Sequence, residues 1–228
     1  MKTIFTRLLK PALLAVVLLA ATHAGADAAG RRFAWEAANT RLAEARTPED
    51  FLASAQNYNK LVQDGVRNGP LFFNLGTALL LAGDGENATA ALLRAERYSG
   101  STPDLRANLR LAMATKSGQP DIELPWSRVV FFWHYDNALR VRIVVMLAGW
   151  TLLWLGLLLR RLASDTATKS AAHPGPLQAF AGPCVFFGVL VALVFGASVM
   201  ISLLQERMDE RTWPERTLAS HVAQEGVR

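Results

Sequence analysis

The stretch that decides the fold runs from Gly69 to Lys116 and reads GPLFFNLGTALLLAGDGENATAALLRAERYSGSTPDLRANLRLAMATK. Within it the dipeptide Asn-Leu begins at Asn74 and again at Asn108, which is a spacing of 34 residues. A fixed spacing of this length is typical of chains built from repeated helix-turn-helix units, each of which buries one face against its neighbour. The stretch therefore predicts a stack of paired helices.

The residues that would pair the two helices match the signature of the tetratricopeptide repeat, which is itself 34 residues long. Gly76 and Ala88 are small, and we expect the helix backbones to approach closely at these positions. Larger side chains would fill the space on either side. The signature residues, all in one register, are Phe72, Leu75, Gly76, Leu79, Ala88, Leu92 and Ala95. The sequence thus predicts an all-α fold that starts with a short tetratricopeptide-repeat domain and ends with a two-helix transmembrane hairpin.

Capping residues mark the helix starts of this domain, which we expect to span residues 30–117. Thr47 precedes Pro48 and two acidic residues, a typical helix start because acids there face the positive end of the helix dipole. Thr102 precedes Pro103 and an acid in the same way. Residues 33–62 have the layout of a first repeat without a clean signature, and Gly83 lies in the inner turn of the second.

About half of the 228 residues are hydrophobic, and the excess is concentrated in three stretches outside this domain. Residues 1–29 have the features of a secretory signal peptide: basic residues, a short apolar run and small residues suited to cleavage. The apolar run is short for a span, so we expect cleavage, with anchoring as the alternative. Either outcome exports the residues that follow.

Two further apolar stretches predict membrane spans at residues 139–160 and 179–204. The first has 17 uncharged residues, from Ile143 to Leu159, and lengthens if Arg140 and Arg142 reach back to the lipid headgroups. The second has 26 uncharged residues. Glycines on both spans would allow close helix contact, namely Gly149, Gly156, Gly188 and Gly196, together with Ser198. Residues 118–138 form an aromatic juxtamembrane linker.

Exported amino-terminal residues require the loop at 161–178 to be cytoplasmic. Around this loop Arg160, Arg161 and Lys169 outnumber Asp165, as the positive-inside rule demands. The tail at 205–228 has five acids and four arginines and is expected outside. The predicted location is therefore the bacterial cytoplasmic membrane, with the repeat domain and the tail in the periplasm.

Asn74 and Asn108 occupy equivalent positions one repeat apart, where side chains would point into a concave groove. An amide there can both donate to and accept from the backbone of an extended peptide. The alternative is a hydrogen bond at a helix end or between repeats. The residues predicted to share this peptide-binding groove are Phe73, Asn74, Thr77, Leu80 and Asn108. Arg106 and Arg110, on the last helix, either meet an acidic partner or remain solvated.

Other chemistry is poorly supported by the sequence. The four histidines are spread over the signal, the linker, the loop and the tail, so they predict no metal site. The single cysteine, Cys184, lies at a span end and predicts no disulfide. We find no activated nucleophile, no phosphate-binding loop and no nucleic-acid module, and the net charge of +5 is a mild bias. We therefore expect a non-enzymatic protein without cofactor, metal, nucleic acid or small-molecule substrate.

The order of these parts resembles BatE, the tetratricopeptide protein family of the bacterial aerotolerance (Bat) operon. The residues that carry the likeness are Asn68 to Gly76, Arg94 to Arg97, Asp104 to Leu109, Pro125-Trp126 and Phe132 to Tyr135. The resemblance implies partners among von Willebrand factor A-type membrane proteins, acting with MoxR-type ATPases. Many members also carry a carboxy-terminal SH3-like domain. Thr217 to Arg228 is the possible first strand of such a domain, the rest of which is missing unless the chain is a fragment.

These observations predict a membrane-anchored periplasmic scaffold that binds partner proteins in a cell-envelope stress complex. One alternative is an assembly chaperone for cytochrome c maturation or for secretion machinery, which also couples such repeats to membrane spans. A second, less favoured, is a membrane enzyme or transporter component. Against it stand the scattered acids and histidines and the lack of charge inside the predicted spans.

Overall fold

The computed structural model describes residues 29–120, 122–167 and 176–225. Within these ranges the chain is helical and contains no β-strand. The predicted signal peptide falls outside the described residues except for its last position. The middle of the predicted cytoplasmic loop, residues 168–175, also lies outside them. The prediction of an all-helical chain is confirmed.

Five helices form an amino-terminal helical domain, two short helical turns follow, and two long helices complete the described chain. The domain contains α1 (29–44), α2 (Pro48–Gln63), α3 (Gly69–Leu81), α4 (Gly85–Ser99) and α5 (Pro103–Ser117). The short turns are α6 (Ser127–Val130) and α7 (Phe132–Tyr135). The long helices are α8 (Leu139–Ala167) and α9 (Pro176–Glu225).

Side-chain caps form at the helix starts that the sequence predicts. Thr47 Oγ1 accepts from the backbone N–H of Asp50 at 3.2 Å, and the Asp50 carboxylate accepts from the backbone N–H of Thr47 at 3.0 Å. This reciprocal pair is a capping box, which satisfies two N–H groups that have no partner within the helix. At α5 only the first of these two bonds forms, since Thr102 Oγ1 accepts from the backbone N–H of Leu105 at 3.2 Å. Gly83 makes the inner turn with a φ of +84°. These local predictions are confirmed.

The helical domain is built around one apolar core to which all five helices contribute. The seven signature residues are all buried in it: Phe72, Leu75, Gly76, Leu79, Ala88, Leu92 and Ala95. A Cβ added at Gly76 would lie 2.6 Å from Cγ of Leu92, so this position accepts no larger side chain without movement. The close approach of α3 and α4 is therefore present where the sequence predicts it.

Helices α8 and α9 pack against each other as an antiparallel pair. Gly149 faces the backbone of Ala192, and Gly156 faces that of Val185, so the residue numbers increase along α8 in the direction in which they decrease along α9. A Cβ at either glycine would lie 2.8 Å from a backbone nitrogen of the partner helix. Gly188 is similarly close to Leu153, whereas Gly196 has only ordinary contacts. Three of the four predicted glycine contacts are present.

Both long helices are apolar and long enough to cross a membrane, at Leu139–Ala163 and Ala179–Trp213. Within the most apolar 18 residues of each, 17% of positions are buried, so most side chains face outward instead of into a protein core. This distribution is what a lipid-facing pair of helices requires. The structure is thus consistent with a two-pass membrane protein.

Helix α9 continues well past the predicted end of the second span at residue 204. It remains helical to Glu225, so the residues between 217 and 225 are not the β-strand that the resemblance suggested. The predicted tail at residues 205–228 begins within this helix. Residues 205–213 pack on the helical domain, and we call them the docking segment.

Candidate binding site

The five residues of the predicted groove lie on α3 and α5, and all five are half-buried. Asn74 is joined to the neighbouring helices by a small polar network. The Tyr58 hydroxyl donates to Asn39 Oδ1 at 2.7 Å, and Asn74 Nδ2 donates to the same oxygen at 3.1 Å. Burial raises the pKa of the Tyr58 phenol, so this donor keeps its proton at neutral pH. The network ties α1, α2 and α3 together.

Asn108 makes the corresponding connection between α5 and α3. Its Nδ2 donates to Thr77 Oγ1 at 3.1 Å, and the Thr77 hydroxyl donates to the carbonyl of Phe73 at 2.9 Å. Both predicted groove asparagines therefore form hydrogen bonds between helices, which was the alternative interpretation of their sequence positions. These bonds leave Oδ1 of each amide without a hydrogen-bond partner within the described ranges. Peptide binding by these residues stays a prediction.

A second face of the domain, formed by α2, α4 and the start of α3, is occupied by the docking segment. Its anchor is Trp213, whose indole is 7% exposed. The Trp213 Nε1 donates to Asn59 Oδ1 at 2.8 Å, and its ring meets Phe72 edge to face, with centroids 6.3 Å apart. An aromatic side chain buried this completely is among the strongest single contacts that a helix can make.

Arg94 lies beside this anchor, close to both aromatic rings. Its guanidinium carbon is 4.3 Å from the Phe72 ring centroid and 5.0 Å from that of Trp213. The side chain is 1% exposed and forms an ion pair with Glu206 of the docking segment. A buried cation is tolerated only with such compensation, because desolvation otherwise disfavours its charge.

Further ion pairs surround Arg94. Arg97 pairs with Glu206 and, at 2.9 Å, with Asp209, while Arg67 Nε lies 3.6 Å from Glu210. Three arginines of the domain thus face three acids of one helix. Burial, followed by the charge of Glu206, raises the pKa of Tyr98 to about 12, so this phenol remains a donor beside the network.

The sequence contains a pattern that indicates this contact, although the prediction of a tail at residues 205–228 did not use it. Asp209 and Glu210 follow Glu206 by three and four residues, and Trp213 follows them by four and three, which places the set on one face of any helix that continues the second span. Arg94 and Arg97 have the matching spacing on α4. Complementary charge stripes of this kind predict a helix-helix contact, although they do not identify the helices that meet.

A buried polar cluster connects the helical domain to the two long helices. Arg142 Nη1 donates to the hydroxyls of Ser202 and Ser198, at 2.8 Å and 2.9 Å, and lies 3.0 Å from His134 Nδ1. The Arg142 side chain is completely buried, so it does not meet the condition under which the first predicted span would lengthen. The hydroxyls of α9 offer acceptors that hydrocarbon lacks, and Arg142 therefore turns inward. Arg140, by contrast, is exposed.

His134 accepts the Arg142 hydrogen bond as a neutral imidazole. Burial, followed by the charges of Arg142, Arg97 and Arg128, lowers the pKa of His134 to about 4. A proton at Nδ1 would face the Arg142 cation and remove the acceptor. This histidine is therefore a structural partner of Arg142 in the described chain.

Comparisons with protein-family models, with curated proteins and with solved structures return no match. The resemblance to BatE accordingly rests on the motifs of this chain and on the order of its parts.

Proposed function

We propose that the protein is a membrane-anchored scaffold of the tetratricopeptide-repeat class, similar to BatE. Its helical domain would bind a partner protein in the cell envelope, on the face formed by α1, α3 and α5. The observation that carries this proposal is the parallel placement of Asn74 and Asn108. Each amide donates to a side chain on the preceding helix of that face, so the two asparagines occupy equivalent positions in the helix stack.

This face has the composition that recognition of an extended peptide requires. Phe73 and Leu80 are half-buried apolar side chains that pack against the edge of the core. Beside them the two asparagine Oδ1 atoms are free to accept from a peptide backbone within the described chain. Since the docking segment lies on the face of α2 and α4, its occupancy does not compete with this site.

The class of partner follows from the resemblance and from the membrane anchor. BatE-like proteins act beside von Willebrand factor A-type membrane proteins and MoxR-type ATPases, and we propose the first of these as the direct partner. Confinement of both proteins to one membrane raises their effective concentration, so that weak contacts at the groove suffice for binding. Assembly chaperoning of cytochrome c maturation or of secretion machinery is the competing function.

The test is crosslinking in intact membranes with the double variant Asn74→Ala, Asn108→Ala. We expect the variant to fold and to lose the crosslinked partner, because both side-chain oxygens that would accept from the peptide backbone are removed. Asn39 keeps its bond from Tyr58, so the cost to stability should be only about 1–2 kcal/mol. Asn57→Ala, a half-buried asparagine on α2, is the matched control and should keep the partner.

The identity of the crosslinked protein decides between the candidate functions. A von Willebrand factor A-type protein that is lost only in the double variant supports the scaffold proposal. Recovery of haem-maturation or secretion components would favour the chaperone function. Unchanged crosslinking of the double variant would place the binding site elsewhere.

A further inference from the structure

A cleft of about 600 Å³ lies between α5 and the juxtamembrane linker. Arg106 and Arg110 line it from consecutive turns of α5, and Arg128 lines it from α6. The other side is formed by linker residues that include Glu123 and Asp136. Because α8 begins at Leu139, the cleft is adjacent to the first apolar helix.

The charges of the cleft are separated instead of neutralised in pairs. Arg128 already has partners, since it forms an ion pair with Glu96 and its guanidinium carbon lies 4.6 Å from the Tyr135 ring centroid. Arg106 and Arg110 form no ion pair with any residue of the described ranges, and the same is true of Glu123 and Asp136. Among the described residues, two cations and two carboxylates without an ion-pair partner therefore line one cavity.

Two further features indicate a ligand with both a polar and an apolar part. The Ser101 Oγ, in the cleft wall, is buried and has no hydrogen-bond partner in the part of the chain that the structure describes. Around the cleft, Trp126 and Val129 are 75% and 79% exposed. Large apolar side chains this exposed, directly before a membrane-spanning helix, are expected to lie among lipid chains at the membrane surface.

We propose that this cleft binds the headgroup of an aminophospholipid, with phosphate and ammonium groups held at separate places. The phosphate would accept from Arg106 and Arg110, whose guanidinium groups match its geometry. The ammonium would donate to the carboxylates of Glu123 and Asp136. A purely anionic headgroup would leave both carboxylates unpaired beside its own charge, so the cleft favours the zwitterion.

The experiment measures lipid binding to the purified full-length chain in detergent by native mass spectrometry. The probes are phosphatidylethanolamine, phosphatidylglycerol and phosphatidylcholine of identical acyl composition. We expect phosphatidylethanolamine to bind about tenfold more tightly than either of the others, since each lacks one set of charge-assisted hydrogen bonds. Glycerophosphoethanolamine, which has no acyl chains, should compete at high concentration, whereas inorganic phosphate should not.

Two pairs of variants separate the site from general membrane affinity. Arg106→Gln with Arg110→Gln should weaken phosphatidylethanolamine binding about tenfold or more. Arg31→Gln with Arg41→Gln makes the same charge change on exposed positions of α1 and should have no effect. Glu123→Gln with Asp136→Asn should abolish the preference over phosphatidylglycerol while keeping the phosphate contact.

Three outcomes would overturn the proposal. Equal binding of phosphatidylglycerol and phosphatidylethanolamine would show a simple anion site, and displacement by inorganic phosphate would assign the cleft to a free phosphate. Equal loss in the α1 control variant would show that only net charge matters. Thermal unfolding of each variant checks that the fold is intact, and the groove crosslinking described above should be unaffected in all of them.

Discussion

At the scale of single residues, Arg94 shows how a charge can be kept in the interior of a small helical domain. A cation–π contact contributes about 2 kcal/mol when the cation is desolvated, and Arg94 lies within reach of two aromatic rings. The Glu206 carboxylate supplies the opposite charge. Arg94 Nε and Nη1 nevertheless lack hydrogen-bond partners within the described residues, so the aromatic faces replace part of the lost hydration. Arg94 depends on α9, because three of its four partners, Glu206, Asp209 and Trp213, lie on that helix and only Phe72 belongs to the domain.

Gly76→Ala should destabilise the helical domain by about 1–3 kcal/mol, because the added methyl group would overlap Leu92. The measurement is thermal unfolding of the full chain in detergent. Gly30→Ala is the matched control, since a Cβ there meets nothing within 4 Å and alanine favours the helix. Equal stability of the two variants would contradict the close packing of α3 and α4.

His134 should make the stability of the wild-type protein depend on pH. Its pKa is about 4 in the folded state against an ordinary 6.5, so below pH 6.5 the unfolded chain binds a proton that the folded chain excludes. The contribution of this group to stability is complete above pH 6.5 and is lost as the pH falls toward 4. His134→Asn keeps an acceptor for Arg142 and should remove this part of the pH dependence.

The measurement is the Tm of both proteins in detergent at about pH 7.5 and about pH 5. Other carboxylates titrate in the same interval, so the difference between the two proteins is what isolates His134. An identical fall in Tm for wild type and variant would show that the imidazole is already protonated in the folded state.

At the scale of elements, the local sequence predicts helix starts better than helix ends. The Thr47 and Thr102 hydroxyls each accept from a backbone N–H three residues later, so these caps depend only on local sequence and are present wherever the helix forms. The end of α9 depends instead on what the helix meets after it leaves the apolar stretch. Glu206 and Asp209 suggest a solvated tail when read alone, yet they face Arg94 and Arg97 in the structure. Such a contact joins residues more than 100 positions apart, which no local pattern specifies.

Trp213→Ala should release the docking segment from the helical domain. Removal of a buried aromatic side chain costs about 3–5 kcal/mol, and here the hydrogen bond to Asn59 and the cation–π contact with Arg94 are lost as well. The measurement is the rate of trypsin cleavage after Arg207 and Arg211, which should increase. Trp126→Ala, at a tryptophan that is 75% exposed, should leave the rate unchanged. Equal cleavage rates in both variants would contradict the docked arrangement.

At the scale of the whole molecule, composition and periodicity were sufficient for the helical class and for the two apolar helices. They did not predict how the helical domain packs against the two long helices. Arg142 illustrates the reason. From the sequence alone, a basic residue at the end of a span could face the headgroups or the protein interior. The hydroxyls of Ser198 and Ser202 on α9 decide that Arg142 turns inward. The predicted groove is a similar case, because an asparagine at a repeat position can bond a peptide or the next helix.

The proposed orientation has a direct test with topology reporters fused at Ala171 and at Val227. We expect a reporter at Ala171 to be active in the cytoplasm and one at Val227 to be active in the periplasm, as the positive excess near the loop indicates. Fusions at both sites in the Arg160→Glu, Arg161→Glu variant test whether these two charges set the orientation. Cytoplasmic activity at Val227 in the wild-type chain would reverse the placement of the helical domain.

Helix α9 has 50 residues and would be about 75 Å long if straight. Along this length it contacts two different parts of the chain. The apolar end packs on α8, and the docking segment inserts Trp213 between α2 and α4. Trp213 and the residues that pack on α8 lie on one continuous helix. A rotation of the apolar part of α9 about its own axis would therefore also turn the indole relative to Asn59 and Arg94.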